Sequence, residues 1–150
     1  MRFNQHYTQS ICCNDNRRTF VLEETKGVQY IVSNTSNLDY IAYRVDRGLI
    51  QTNTTKQCDY ALYIPSSDTV RFIELKGSNV EEGLEQLLQT IQVLITRPNI
   101  TVSRLQARII TRKVKSPSIR STKKTKLEKI VKEYRGDLVI KNITLTELVD

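Results

Sequence analysis

Two carboxylates and a lysine occur together in a segment that otherwise has the pattern of a buried strand pair. The segment CDYALYIPSSDTVRFIELKG spans residues 58–77, and its two apolar runs flank turn-forming residues at 65–68. Asp59 and Glu74 each lie near the end of a run that is remote from the turn, and Lys76 follows Glu74 by two positions. Because this pattern is typical of a β-hairpin, it predicts that the three side chains meet at one end of a strand pair.

The turn predicts which residues of the hairpin lie opposite each other. A turn centred between Ser66 and Ser67 places Asp59 opposite Glu74, with Cβ atoms about 4.5–5.5 Å apart. Like charges in these positions destabilise a sheet, and Mg²⁺, which commonly binds one or two carboxylates, water and phosphate oxygens, would remove the conflict. Lys76 would stand beside that ion and hydrogen-bond an attacking water or stabilise a charged phosphate. The alternative is a surface acid pair that Lys76 partly neutralises.

The order of predicted elements indicates an α/β fold. Residues 1–18 read as irregular, 19–25 as a strand or the end of a helix, and 28–33 as a strand or a buried turn. A strand at about 40–46 precedes the hairpin, and these three strands are followed by a helix capped by Ser78 or Asn79, a strand at 101–114, a helix at 122–134 and a strand at 138–145. Helices between strands require crossover connections, so the fold is predicted to be a mixed central sheet flanked by helices. The chain is expected to form one domain, with its core at 37–143 and residues 1–36 as an N-terminal extension.

These residues resemble the motif of the PD-(D/E)xK nuclease superfamily, which includes restriction-endonuclease-like and Holliday junction resolvase-like cores. Asp59 matches the acid of the second core strand, and Glu74-Leu75-Lys76, after fourteen intervening residues, matches the E-x-K of the third. Cys58 stands where the motif has a weakly kept proline. The resemblance covers about residues 37–143 and implies an αβββαβ core.

The resemblance implies a divalent-metal-dependent nuclease that hydrolyses phosphodiester bonds, with an endonuclease favoured over an exonuclease. Asp59 and Glu74 would bind Mg²⁺, or Mn²⁺ as a substitute, with the carbonyl of Leu75 as a third ligand and Lys76 as the catalytic lysine. Gln86 lies ten residues after Lys76, where several families carry a glutamine that positions the lysine or the water. The alternative for Gln86 is a solvent-facing position on its helix. An additional acid, which the superfamily takes from an N-terminal helix, has three candidates: Glu23, Glu24 and Asp46.

Positive charge is concentrated in the last third of the chain. Residues 104–135 contain twelve Lys or Arg against two acids, whereas the whole chain has 23 against 16. This density predicts contacts with the phosphates of nucleic acid. Only Tyr134 among the aromatic residues accompanies the basic residues, so a single-strand stacking platform is not indicated, and duplex or branched DNA is preferred over RNA. A solvated helix face is the alternative. The predicted contact residues are Arg104, Arg108, Arg112, Lys113, Lys115, Lys123, Lys124 and Lys126.

Other features limit the compartment and the competing functions. Three cysteines without CxxC spacing, the absence of a signal-like apolar run at the start and the absence of a long apolar segment predict a cytoplasmic protein without a membrane partner. A homodimer would suit an enzyme that cuts two strands. Two other functions stay open: a catalytically inactive nuclease-fold subunit that binds nucleic acid or supports assembly, and an interaction domain whose basic third binds an acidic protein.

Overall fold

The computed structural model describes residues 1–24, 27–112 and 121–150. Three α-helices are found in these ranges: α1 (Phe3–His6), α2 (Val80–Ile91) and α3 (Thr122–Glu133). The strands are β1 (Ile11–Asp15), β2 (Thr19–Glu23), β3 (Gln29–Ser33), β4 (Tyr40–Arg44), β5 (Tyr60–Ile64), β6 (Thr69–Lys76), β7 (Arg104–Thr111), β8 (Leu138–Asn142) and β9 (Thr144–Leu148).

The central sheet is mixed, which confirms the predicted α/β class. Its six strands have the order β1-β4-β5-β6-β7-β8, in which β6, β7 and β8 are parallel and the other neighbours are antiparallel. From Tyr40 to Asn142 the chain follows the predicted order of three strands, helix, strand, helix and strand. Because the crossover helices α2 and α3 follow β6 and β7, both begin near the carboxyl ends of the parallel strands.

The central sheet separates two hydrophobic cores. Alternate residues of the hairpin, such as Ala61 and Phe72, pack with α2 and α3 on one face. Their neighbours Leu62 and Ile73 pack on the other face against a second sheet of order β2-β3-β9. The alternation of side chains along each strand therefore decides which core each residue enters.

In the first part of the chain the structure contains elements that the sequence pattern did not define. Residues 1–18 were predicted to be irregular, but they contain α1, whose Phe3 is fully buried, and β1, which pairs with β4. The segment 19–25, predicted to be a strand or the end of a helix, contains strand β2, although Thr25 lies outside the described residues. The segment 28–33, predicted to be a strand or a buried turn, contains strand β3. These elements gain their hydrogen bonds from partners that are remote in sequence, which a local pattern does not reveal.

The predicted last strand is split into β8 and β9 by a single residue. Ile143 has a φ of 67°, so the chain leaves the central sheet there and pairs β9 in parallel with β3. Its N–H donates to the carbonyl of Thr111, and its carbonyl accepts from the N–H of Gln29. One residue thus connects the two sheets through one hydrogen bond to each.

Two arginines buried between the sheets attach β9 to the central sheet. The Arg108 Nε donates to Glu147 at 2.8 Å, and its Nη1 lies 3.0 Å from an oxygen of Asp137. The Arg71 guanidinium donates to Tyr30, Gln106 and the carbonyl of Leu148. Burial alone would lower the pKa of Arg108, but its contacts with Glu147 and Asp137 outweigh that effect and raise the pKa. The Arg108 guanidinium therefore stays charged, and both arginines are hydrogen-bonded in a site with almost no access to solvent.

Candidate active site

The hairpin has the register that its turn predicted. Tyr60 pairs with Ile73 and Ala61 pairs with Phe72, so Asp59, one residue before β5, comes opposite Glu74. The turn consists of a short 3₁₀ segment, Pro65–Ser67, and a left-handed Asp68 with a φ of 49°. Proline at the first turn position and aspartate at the left-handed position are both favoured there, which explains why the register could be predicted.

The two carboxylates lie together on the helix-covered side of the hairpin, and each contacts the backbone beside the other. Oε1 of Glu74 accepts a 3.1 Å hydrogen bond from the N–H of Asp59, and Oδ2 of Asp59 accepts a 2.9 Å bond from the N–H of Leu75. Glu74 is fully buried and Asp59 is 8% exposed. Two acids are thus concentrated in a site of low solvent access, where their charges interact more strongly than in water.

Lys76 joins the acidic pair at the end of β6. Its Nζ lies 3.9 Å from Oε2 of Glu74 and 3.1 Å from Oε1 of Glu82, and its side chain is 12% exposed. Glu82 belongs to the first turn of α2, where Oδ1 of Asn79 caps its N–H. The structure therefore brings the three predicted residues together and adds Glu82 as a closer partner of the lysine.

Glu82 is the one residue of this cluster that the sequence motif does not indicate. An acid in the first turn of a helix is favoured by the helix dipole alone, so its type carries no functional signal. Its position six residues after Lys76, across the turn from β6 into α2, is the only hint that the two side chains meet. The contact depends on how α2 folds back over the hairpin.

Helix α2 packs closely over the acidic pair. At Gly83 an added Cβ would lie 3.6 Å from Cγ of Glu74, so the helix backbone passes directly above that side chain. Gln86, one turn later, donates from Nε2 to the carbonyl of Gln57 at 3.2 Å, and its buried Oε1 has no hydrogen-bond partner among the described residues. Gln86 is half-buried and faces the segment before β5. Its role in positioning the lysine or the water stays a prediction.

The three candidates for an additional acid occupy different sides of the sheet. Glu24 accepts from the hydroxyl of Tyr60, whose side chain belongs to the core between the sheets, and Glu23 accepts from Gln29 within the small sheet. Asp46 instead accepts from Nε2 of Gln57 at 2.8 Å, and the N–H of neighbouring Val45 donates to the carbonyl of Asp59. Asp46 is therefore the candidate that the hydrogen bonds connect to the acidic pair.

Cys58 lies beside the acidic pair, but its environment disfavours a nucleophilic role. The residue is fully buried, and burial followed by the negative charge of Glu74 raises the pKa of the thiol well above its ordinary value. The thiolate is the nucleophilic form of cysteine, so a raised pKa leaves Cys58 unreactive at neutral pH. The Cys58 side chain packs in the hydrophobic core on the helix-covered side of the central sheet.

The donor set fits a hard divalent cation. Carboxylate oxygens are the ligands that Mg²⁺ prefers, and one or two of them suffice because the ion keeps several waters and binds substrate phosphate. No group of three or more His, Cys, Asp or Glu side chains within the described ranges is arranged as a metal site. Asp59 and Glu74 would supply two carboxylate ligands, and metal binding by them stays a prediction. The contribution of the Leu75 carbonyl stays a prediction.

The predicted phosphate-binding residues separate into distinct places. Arg108 is 2% exposed and bonded to Glu147 and Asp137, so its burial removes it from the predicted set. Arg104 starts β7, at the strand end opposite Lys76, and donates to Thr69 and the carbonyl of Asp150. Lys113 and Lys115 lie outside the described residues.

Arg112 and the start of α3 lie at the same end of the sheet as Lys76. Arg112 is exposed directly after β7, and its N–H donates to the carbonyl of Gly77. Lys123, at the start of α3, lies 3.5 Å from Oε2 of Glu85 on α2. A hydrogen bond from Gln89, and then the charge of Lys123, lower the pKa of Glu85. The first turn of α3 carries lysines and no acid, although the helix dipole favours acids there.

No protein-family model, curated protein or solved structure matches the chain. None of the helices in the described part of the chain is long and apolar enough to cross a membrane.

Proposed function

We propose that this chain is a divalent-metal-dependent nuclease that hydrolyses phosphodiester bonds in DNA, with a restriction-endonuclease-like core and a cytoplasmic location. The observation that carries the proposal is the convergence of Asp59, Glu74 and Lys76 at the end of one strand pair, on one face of a mixed sheet. Two acids that face each other across a strand pair repel, and a divalent cation bound between them would offset that repulsion. The burial of the pair under α2 argues against an incidental surface pair.

Asp59 and Glu74 are the residues that would hold Mg²⁺. The bound ion would polarise the phosphate and acidify a water. The ammonium group of Lys76, held near Glu74 by Glu82, is placed to donate a hydrogen bond to the attacking water or to a phosphate oxygen. Helix α2 and the burial of the acidic pair limit the access of water to the site. The attraction of Lys76 for a phosphate oxygen is therefore stronger there than in water.

The basic residues at the same end of the sheet support a nucleic-acid substrate. Arg112 follows β7, and Lys123, Lys124 and Lys126 lie in the first two turns of α3. Lysines at the positive end of a helix are unfavourable for the isolated protein, and a phosphate backbone would relieve that repulsion. Arg104 lies at the opposite end of the sheet, so it plays no part in this interface.

A cleavage assay tests the proposal directly. Labelled single-stranded, duplex and forked DNA and matched RNA are incubated with the protein in Mg²⁺, Mn²⁺ or EDTA. We expect cleavage of DNA with either metal and none in EDTA. Absence of cleavage on every substrate, together with salt-sensitive DNA binding, would instead favour the inactive subunit. Absence of both cleavage and DNA binding would favour an interaction domain for an acidic protein.

The inactive subunit has a specific observation in its favour. Lys76 is closer to Glu82 than to Glu74, and Glu74 is fully buried, an arrangement that also suits a structural ion-pair cluster. The two functions differ in what a divalent ion does. A nuclease requires it for cleavage, whereas a structural cluster keeps its melting temperature when metal is added.

Replacing Lys76 by methionine is expected to slow cleavage by at least about 10²-fold, the lower end of the loss caused by removing one charge-stabilising donor. Methionine keeps the length of the aliphatic chain but removes the ammonium group, so Mg²⁺ binding is expected to persist. Single-turnover cleavage and calorimetric titration with Mg²⁺ measure the two effects. Lys56→Met, a change at an exposed lysine of the connection before β5, is the matched control. Cleavage at the wild-type rate would remove Lys76 from the mechanism.

Replacing Lys123, Lys124 and Lys126 together by glutamine is expected to weaken DNA binding without changing the chemistry. Each lost phosphate contact should reduce the slope of log K against log salt by about 0.9. Glutamine is a comparable helix former, so α3 should remain folded. Binding isotherms on unrelated duplexes at several salt concentrations measure the slope, and cleavage by saturating enzyme serves as the control. An unchanged slope would mean that these lysines form only a solvated helix face.

A further inference from the structure

A groove of about 450 Å³ opens at the carboxyl ends of the three parallel strands. Its described lining comprises Gly77 and Ser78 after β6, Arg112 after β7 and Ile143 after β8. Gly77 directly follows Lys76 in the chain, so the groove lies at the same end of the central sheet as the acidic site. Crevices outside the carboxyl ends of parallel strands are favoured places for ligands in α/β proteins.

The backbone of Ile143 is in a conformation that a β-branched residue rarely adopts. The left-handed backbone is required because the chain changes sheets there, but a β-branched residue with a φ of 67° is a true outlier. Glycine or asparagine would adopt the same conformation more easily. Burial does not offset the strain, because the side chain is 45% exposed. The topology therefore accounts for the backbone conformation but not for the choice of isoleucine.

The charge around Ile143 indicates what kind of molecule it contacts. Arg112 lines the same groove, with its guanidinium close to Gly27, where an added Cβ would lie 3.5 Å from Nη2. An exposed aliphatic side chain beside an arginine fits a partner that presents anionic groups next to flat apolar surfaces. Nucleic acid combines these features, and apolar side chains such as isoleucine serve as wedges between base steps in other protein–DNA complexes.

We propose that Ile143 is a wedge that packs against a nucleobase of DNA bound across the carboxyl ends of the parallel strands, the end of the sheet that also holds the acidic site. This inference rests on the proposed nuclease function and narrows its substrate class to DNA whose bases unstack readily, such as the branch point of a forked duplex. Arg112 would hold the adjacent phosphate while Ile143 occupies the space that the displaced base leaves. Strained backbone conformations are concentrated at active sites and ligand-binding residues of proteins.

The test uses forked DNA with a single 2-aminopurine placed in turn at each position near the branch, bound in EDTA so that it stays intact. The full-length protein is expected to raise the fluorescence at one position, since an unstacked 2-aminopurine is brighter. Ile143→Asn should lose this rise and bind about fivefold more weakly, in line with the loss of a partly buried aliphatic contact. The matched control is Ile11→Asn on β1, a residue that is 41% exposed at the far edge of the central sheet. It should behave as the wild type does.

Thermal melting separates a wedge from ordinary packing. Ile143→Asn should raise the melting temperature by at least about 2 °C because it relieves the strained backbone. A lower melting temperature would show that the side chain supports the fold and would overturn the inference. Bound DNA without a fluorescence rise would also overturn it while leaving the nuclease proposal to the cleavage assay. A wild-type protein that binds no DNA would overturn both.

Discussion

Asp59→Asn is expected to abolish cleavage while leaving the fold and DNA binding in place. The change removes one of the two charges that would hold the metal, and its effect should exceed the roughly 10²–10³-fold loss caused by deleting one charge-stabilising donor. Asparagine keeps an oxygen that can accept the hydrogen bond from the N–H of Leu75. Glu74→Gln should behave in the same way, because its amide oxygen can still accept from the N–H of Asp59.

Single-turnover cleavage, calorimetric Mg²⁺ titration and melting in EDTA form one experiment on these variants. Without metal, both variants should melt at a higher temperature than the wild type because like-charge repulsion between the strands is reduced. Glu81→Gln is the matched control, since Glu81 is an exposed acid in the first turn of α2. If Asp59→Asn cuts DNA at the wild-type rate, the acidic pair is not the active site.

Glu147→Ala is expected to lower the free energy of unfolding by about 3–5 kcal/mol, which is the usual result of removing one partner from a buried ion pair. The guanidinium of Arg108 is 3% exposed and lies 2.8 Å from Glu147. The hydroxyl of Tyr30 also donates to Glu147, so the truncation leaves a second buried polar group without its acceptor. Since β9 is attached to the central sheet through this contact, the small sheet should loosen first.

Urea unfolding of Glu147→Ala, Arg108→Met and the double variant measures the coupling between the two residues. The double variant should be more stable than the sum of the two single effects predicts, because no buried charge is left without its partner. Glu133→Ala, at an exposed position on α3, is the control for a surface acid. An effect of Glu147→Ala below about 1 kcal/mol would place the pair among ordinary surface ion pairs.

The local parts of the fold could be predicted from the sequence. The turn at 65–68 determines the hairpin register because proline and a left-handed aspartate restrict the backbone within a few residues, and Asp59 therefore comes opposite Glu74. The stripe of Leu84, Leu87 and Ile91 predicts α2 for the same reason, since a helix repeats every 3.6 residues. The sequence thus determined which acids face each other and which element follows them.

The tertiary structure decided the features that depend on partners remote in sequence. Arg108 and Arg112 look alike in a basic strand, yet one is buried against Glu147 and the other is exposed at the end of the sheet. The sequence pattern predicts that Ile143 lies within one strand. In the structure the chain changes sheets at this residue because β9 pairs with β3. The approach of Glu82 to Lys76 likewise requires α2 to fold back over β6. In each case the sequence defines a side chain, but burial and charge are set by whichever element packs against it.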